Sequence, residues 1–282
     1  MIISFLNQKG GVGRTTLSIN VAEYLAHLGY RVLLIDANKQ ASASTWASYR
    51  EDPTFQVVNL ARSNMAKEAI TLAGSYDHTI IDGPPRDEDI ARSCIIASDY
   101  VALPIEPSGL STWASNLTVR QVREAQEIKP SLGCGFVISR KIGNTVIGRD
   151  IRTMAARIGI PILKAEMEQR VAFAESLTMG QTIFEWAAES AAAQEIQNLT
   201  QEIQTYVSSG AGHDTRSNVP NRMALQTTAE PTKRLSLDLP QSLHKRFKLA
   251  CIATDRSMVA ELQTFIEHRT EKLEKKAGIH RS

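Results

Sequence analysis

Ile2-Ile3-Ser4-Phe5-Leu6-Asn7-Gln8-Lys9-Gly10-Gly11-Val12-Gly13-Arg14-Thr15-Thr16 is the stretch whose reading decides the fold. The first five residues are an apolar run of strand formers. A helical pattern starts at Leu17, with Ile19, Val21, Ala22, Leu25 and Leu28 on one mostly apolar face and Gly29 as a stop. Between the two lies a loop with three glycines. Strand, glycine-rich loop and helix form the geometry of a phosphate cradle. Glycines let the backbone approach an anion, and the loop N–H groups and helix N-terminus point at it. The hydroxyl of Thr15 stands where Mg²⁺ would be held. The ordinary phosphate-loop string G-x-x-x-x-G-K-[ST] is not met in full: Gln8 takes its first glycine position and Arg14 its lysine position.

Working outward, Arg31-Val32-Leu33-Leu34-Ile35-Asp36 is a continuous apolar run ending in a carboxylate. Such runs mark strands buried on both faces, as in parallel sheets. Residues 1–36 therefore read as a βαβ unit with Asp36 at the ligand-binding, carboxyl edge of the sheet. A small, polar loop, Ala37 to Ser44, leads into a helix near Thr45 to Tyr49. A weaker strand, Phe55 to Leu60, and a helix, Ser63 to Ala73, follow. Tyr76 to Asp82 is a second buried strand ending in a carboxylate, stopped by Gly83-Pro84-Pro85. One strand-terminal Asp is as often a turn or cap residue. Two beside this loop favour Mg²⁺ and water chemistry.

The alternation continues. Ile90 to Ala97 and Leu110 to Glu127 read as helices, Asp99 to Ile105 and Gly133 to Ser139 as strands. After them come a helix from Arg149 to Ile158, a short strand from Pro161 to Leu163, and helices from Val171 to Met179 and Ala187 to Tyr206. The pattern predicts an α/β fold with a doubly wound, mainly parallel sheet. Trp46, Trp113 and Trp186 read as packing residues.

The 282 residues allow one large domain or two unequal ones, and 43% hydrophobic with 22% charged residues suits a folded soluble chain. No run approaches a membrane span, and no basic-then-apolar leader opens the chain. Cys94, Cys134 and Cys251 lie far apart, which supports neither a disulfide frame nor a metal site and fits a reducing cytoplasm. The net charge of +2 is uneven: residues 233–282 carry eleven Lys/Arg against six Asp/Glu. A basic tail on a mildly acidic body points to nucleic acid as the tail's partner.

Residues 208–232, rich in Ser, Gly, Thr, Asn and Pro, read as a flexible linker spanning roughly 25–30 Å. From Lys233 to Pro240 the pattern alternates: Leu235, Leu237 and Leu239 share one face, Arg234, Ser236 and Asp238 the other. A basic amphipathic helix, Gln241 to Ala253, follows. Ser257 caps a last helix striped by Val259, Leu262, Phe265, Ile266 and Leu273.

On Lys9 to Thr16, Val32 to Gln40, Tyr76 to Pro85, Val101 to Pro107 and Gln169 to Gly180, residues 1–207 resemble the ParA/MinD-type ATPases with a deviant P-loop, most of all the plasmid partition ATPases of the ParA class. The resemblance implies ATP and Mg²⁺ as cofactors. It implies that Lys9 is the signature lysine, reaching phosphates across a dimer interface. Gly10, Gly11, Val12 and Gly13 wrap the phosphates with Arg14, Thr15 and Thr16, and Thr15 binds Mg²⁺. Asp36 and Asn38 belong to the switch that positions the attacking water. Asp82 is the Walker B carboxylate, with Gly83-Pro84-Pro85 the second switch. It further implies an ATP-bound sandwich homodimer that holds DNA non-specifically and is released when a centromere-binding partner protein stimulates hydrolysis, in a cytoplasmic, nucleoid-associated setting without a membrane. Three positions depart from the family: Arg14 for the loop lysine, Asn38 for the second aspartate of D-x-D-P-Q, and Lys39 for its proline. An arginine fork fits a lysine-shaped pocket badly, and an amide cannot act as a carboxylate. The expectation is a site that holds ATP better than it cuts it.

Residues 233–282 resemble a ribbon-helix-helix DNA-binding domain. That resemblance implies a dimer whose paired strands present Arg234, Ser236 and Asp238 to the major groove, with Lys233 and Ser257 on phosphates. A capping hairpin or a coiled-coil tail remains open for the same pattern. Arg140, Lys141, Arg149 and Arg170 are further surface cations for non-specific DNA contact, or simply solvated charge. The competing whole-chain readings are a repressor with a degenerate nucleotide-binding body and a membrane-surface protein using the last helix. The second is disfavoured because that helix lacks a Trp/Phe-rich lipid face.

Overall fold

The computed structural model describes residues 1–107, 109–142 and 158–209. Beyond these it describes 240, 242–243, 246–247, 251 and 258–277. The expected tail strand with Lys233, Arg234, Ser236 and Asp238 lies outside the described residues, as do Ser257, Arg149 and most of the helix expected at 149–158. The chain divides into two compact units, Met1–Asn221 and Arg222–Ser282, parting inside the expected linker.

In the first unit the elements run β1 (Ile2–Phe5), α1 (Arg14–His27), β2 (Val32–Asp36), α2 (Ser42–Ser48), β3 (Gln56–Asn59), α3 (Ala66–Ala73), β4 (His78–Asp82), α4 (Glu88–Ala97), β5 (Tyr100–Ile105) and α5 (Gly109–Ile128). They continue with β6 (Gly133–Lys141), β7 (Ile162–Glu168), α6 (Val171–Thr178), α7 (Ile183–Ala187) and α8 (Ala191–Ser208). The seven strands form one sheet in the order β3-β2-β4-β1-β5-β6-β7, and every neighbouring pair is parallel.

The sheet has a core on each face, and strand alternation explains why. Ile3 and Phe5 of β1 and Val32 and Leu34 of β2 join one cluster, with Leu17, Val21 and Leu25 of α1 and Ile196, Leu199 and Ile203 of α8. Ile2, Leu33 and Ile35 join the other, with Ala69 of α3, Ile90 and Ile95 of α4, and Val119 and Val122 of α5. Successive side chains of a strand point to opposite faces. A strand covered on both sides is therefore mostly apolar on both faces, as β1 is apart from Ser4 and β2 is up to its terminal Asp36. Each such side chain contributes about 1.5–3 kcal/mol of burial.

The register then sets the site. Phe5 of β1 pairs with Asp82 of β4, and Asp82 pairs with Asp36 of β2. Both carboxylates thus sit in one row at the carboxyl edge, directly beside the exit of β1 into the glycine loop.

Three expectations change. The helix expected over Ala187 to Tyr206 begins only at Ala191, and a separate short helix precedes it and ends at Ala187, because the chain carries two N-caps. Thr182 forms a capping box with Glu185 at α7, and Ser190 accepts from the Ala193 N–H at α8. Strand β7 runs on to Glu168. It is an edge strand with buried Leu163 and Met167 among polar residues, and Glu202 accepts the Lys164 and Ala165 N–H groups at 2.8 Å each. Trp186 is 41% exposed, while Trp46 is buried. In the short α7, Ile183 and Phe184 take the inward face, Phe184 stacking on Tyr24. The side chain of Trp113 lies outside what is described.

Candidate functional site

The glycine loop closes on α1 without a side-chain cap. Gly13, at φ 84°, is the N-cap, and Leu17 N–H reaches back to Gly13 O at 2.9 Å. The N–H groups of Arg14, Thr15 and Thr16 consequently have no acceptor within the helix, and no acidic residue stands in its first turn. Gly11 also has positive φ, 78°, and a Cβ at Gly10 or Gly13 would meet nothing within 4 Å. The loop is open, donor-rich and free of side-chain bulk, as an anion cradle requires.

Neighbouring strands fix its shape. Asn7 Nδ2 donates to Pro104 O of β5 at 2.6 Å, and Asn7 Oδ1 accepts from Lys9 N–H. Ser139 of β6 donates to Val12 O at 2.9 Å. Arg14 also serves the loop. Its guanidinium turns back under the chain, and Nη1 donates to Asn7 O at 2.5 Å and to Lys9 O at 2.6 Å. Only 8% of Arg14 is exposed. Burial lowers its pKa, opposed by the nearby Asp82 carboxylate. Among the described residues Arg14 Nε, which is buried, finds no hydrogen-bond partner.

Thr15 and Asp82 meet as the sequence predicts. The Thr15 hydroxyl donates to Asp82 Oδ2 at 2.7 Å, and Ser18, which sequence reading did not single out, lies 3.4 Å from Oδ1. Asp82 is fully buried, and burial pushes its carboxyl up to about 7. Thr15 and Arg14 pull it down and Asp36 pushes it further up. A hydroxyl and a carboxylate at a phosphate loop are the oxygen donors that hold Mg²⁺ in such sites.

Asp36 is used differently. Its Oδ1 accepts from Asn38 N–H at 3.0 Å and its Oδ2 from Ser44 N–H at 2.8 Å, so both oxygens brace the loop between β2 and α2. Asn38, also buried, accepts the Gln40 N–H. Lys39, in the family's proline position, pairs with Asp87 at 2.7 Å, and Asp87 caps α4. This ion pair joins the loops after β2 and β4. Among the described residues three non-glycines have positive φ: Ala41 and Arg86 in those two loops, and Arg140 at the end of β6. Backbone strain of this kind gathers at binding edges.

Lys9 pairs with Glu106, the residue after β5, and Arg140 Nη1 reaches both Glu106 at 3.0 Å and Gly11 O at 2.9 Å. Sequence reading missed Glu106, although the signal that marked Asp36 and Asp82, a carboxylate closing a buried strand, marks it too. Beside the loop lies a cavity of about 390 Å³ whose walls include Gly11, Gly13, Thr16, Arg140, Met167 and Phe173. Its size and mixed lining suit a small organic ligand running off the loop. Arg170, a candidate DNA contact, donates to Glu195 at 2.7 Å and Glu168 at 3.0 Å.

A family model described as an AAA domain matches residues 1–72. The maintenance of carboxysome distribution protein A of Gloeobacter kilaueensis is 30% identical over 197 residues, 67% of this chain and 87% of that protein. The chain belongs to the ParA/MinD-type P-loop ATPases. The Halothiobacillus neapolitanus protein of the same name is 28% identical, covering 71% of this chain and 95% of its own. The chromosome-partitioning ATPase Soj of Thermus thermophilus is 27% identical, over 73% and 96%. The septum site-determining protein MinD of Pyrococcus horikoshii, solved with Mg-ADP, shares the fold at a TM-score of 0.60 and 20% identity, over 74% of this chain and 98% of that one. The chain therefore shares the overall fold of that solved structure.

Proposed function

We propose that this ParA-family ATPase partitions DNA. On this reading it binds ATP-Mg²⁺, closes as a sandwich homodimer on DNA, and lets go when a centromere-binding partner stimulates hydrolysis. The observation that carries the nucleotide reading is the open glycine loop with the Thr15–Asp82 pair beneath it. ATP supplies the phosphoanhydride bond, and Mg²⁺ neutralises its phosphates. The loop N–H groups from Gly10 to Thr16 receive phosphate oxygens, Thr15 and Asp82 hold the metal, and Lys9 serves the phosphates across the dimer. Relatives named for carboxysome distribution and for chromosome partitioning support a positioning or partition role. The basic tail, eleven Lys/Arg against six Asp/Glu, supports DNA as the partner here.

Hydrolysis is slow on this reading. Arg14 spends its charge on loop carbonyls, Asn38 offers an amide where a carboxylate is expected, and Asp36 has both oxygens on backbone N–H groups. Arg14→Lys with Asn38→Asp should raise DNA-stimulated turnover about tenfold or more. Equal turnover in wild type and double variant, measured by phosphate release, removes the idea of an impaired site. An impaired site is also compatible with a second reading, carried by the sequence pattern of the tail: a ribbon-helix-helix repressor whose body senses nucleotide without cutting it. Gel shifts on specific and random duplex over a salt series separate the two when paired with the turnover assay. Partition predicts ATP-dependent, salt-sensitive binding to any duplex with turnover; the repressor predicts one preferred site and no turnover.

A further inference from the structure

We propose that Arg140 is a nucleotide-phosphate ligand and that Glu106 holds it, together with Lys9, in the nucleotide-free chain. The inference rests on the nucleotide reading above and names which of this chain's cations answer the phosphates. Arg14, at the position where a phosphate loop carries its lysine, faces the loop's own carbonyls, so that charge is directed inward. Two other cations flank the loop, Lys9 from within it and Arg140 from the end of β6, and both pair with the single carboxylate of Glu106. Arg140 lies on Gly11 and forms part of the cavity wall where the cavity meets the loop.

Three features mark this arrangement as a ligand site. Arg140 is a long side chain at φ 53°, a strained conformation that nothing in its sequence favours. Among the described residues its contacts use Nη1 alone, leaving the N–H groups of Nε and Nη2 for another acceptor. A guanidinium offers five donors in a fork that matches phosphate oxygens two at a time. Side-chain exposure of 33% at Lys9 and 45% at Arg140 leaves both cations within reach of a ligand from solvent, while Glu106, at 20%, is the more covered partner. Phosphate oxygens and the Glu106 carboxylate compete for the same two cations. Glu106 thus holds both cations beside the cradle until phosphate displaces it, and opposes any weakly charged occupant.

Calorimetric titration of the full-length chain with ATP and with adenosine tests this. Arg140→Ala should weaken ATP binding about tenfold and adenosine less than about twofold, with Arg140→Lys in between. Glu106→Gln should tighten ATP binding about threefold or more, and the gain should shrink in the Glu106→Gln/Arg140→Ala double variant. Glu168→Gln removes an equal charge from the cavity wall and should change ATP binding less than Glu106→Gln. Thermal melts confirm folding of each variant, and Arg140→Lys carries the test if the alanine variant unfolds. Equal losses for ATP and adenosine in the Arg140 variants reduce Arg140 to a wall of the cavity and overturn the proposal. So does Glu106→Gln leaving ATP affinity unchanged. A wild-type chain that binds no ATP overturns the nucleotide reading itself; one that binds ATP with these variants inert overturns only this inference.

Discussion

Asp82 shows how far one residue's chemistry depends on its surroundings. Burial pushes its carboxyl up to about 7, while a carboxyl in the unfolded chain titrates near 3.9. The folded, ligand-free chain holds this proton more tightly than the unfolded chain does. Protonation therefore favours folding: the contribution is complete below about pH 4 and is lost as pH rises through about 7. In the absence of Mg²⁺ and nucleotide, the melting temperature of the wild-type protein should fall from pH 4 to 7 more steeply than that of Asp82→Asn. Parallel melting curves for the two across that range would show that Asp82 is ionised in the folded chain throughout. The same buried carboxylate is what a metal needs once it is bound, so the ligand-free fold stores part of the cost of holding the site ready.

Among the elements, β6 is constrained by size at two glycines. Gly133 pairs with Tyr100 across β5, and a Cβ there would come 2.6 Å from the Tyr100 ring and 3.2 Å from Tyr206. A Cβ at Gly135 would collide with the Tyr100 hydroxyl and touch Leu163 and Pro161 O at 3.5 Å. Glycine alternates on one face of β6 because the fully buried Tyr100 ring, packed edge-on against Tyr206 of α8, lies across it. Gly135→Ala should destabilise the protein by about 1–3 kcal/mol, read as a lower denaturant midpoint. A shift below about 0.5 kcal/mol would mean that the ring moves aside at little cost.

At the scale of the whole molecule, the two units answer different needs. The first has a core on both faces of its sheet. In the second, the helix Met258–Ala277, α9, leaves Phe265 65% and Ile266 43% exposed, and a unit of this size has little core of its own. On the ribbon-helix-helix reading the tail dimerises the chain without nucleotide and raises the effective concentration of the two ATPase bodies into the millimolar range. Analytical ultracentrifugation should find full-length protein dimeric without ATP, and protein lacking residues 222–282 monomeric until ATP and Mg²⁺ are added. A monomeric full-length protein without nucleotide would remove the tail as a dimerisation module. Among the described residues, no helix is long and apolar enough to cross a membrane.

The sequence by itself determined the parallel sheet, the phosphate loop and the row of carboxylates. Each is written locally: in unbroken apolar runs, in glycines between a strand and a helix, and in an Asp closing a strand. It also located the departures at Arg14, Asn38 and Lys39. What those residues do was decided only by the tertiary structure, because it depends on partners far along the chain. Arg14 faces inward because the carbonyls of Asn7 and Lys9 lie beneath it, Lys39 finds Asp87 across two loops, and Asp36 spends both oxygens on backbone donors. The joining of Lys9, Glu106 and Arg140 brings together the ends of three segments up to 131 positions apart in numbering, from Lys9 to Arg140. Periodicity reports which face of an element is buried; it carries no record of which strand ends become neighbours. That follows from the strand order, which sets the exits of β1, β5 and β6 side by side.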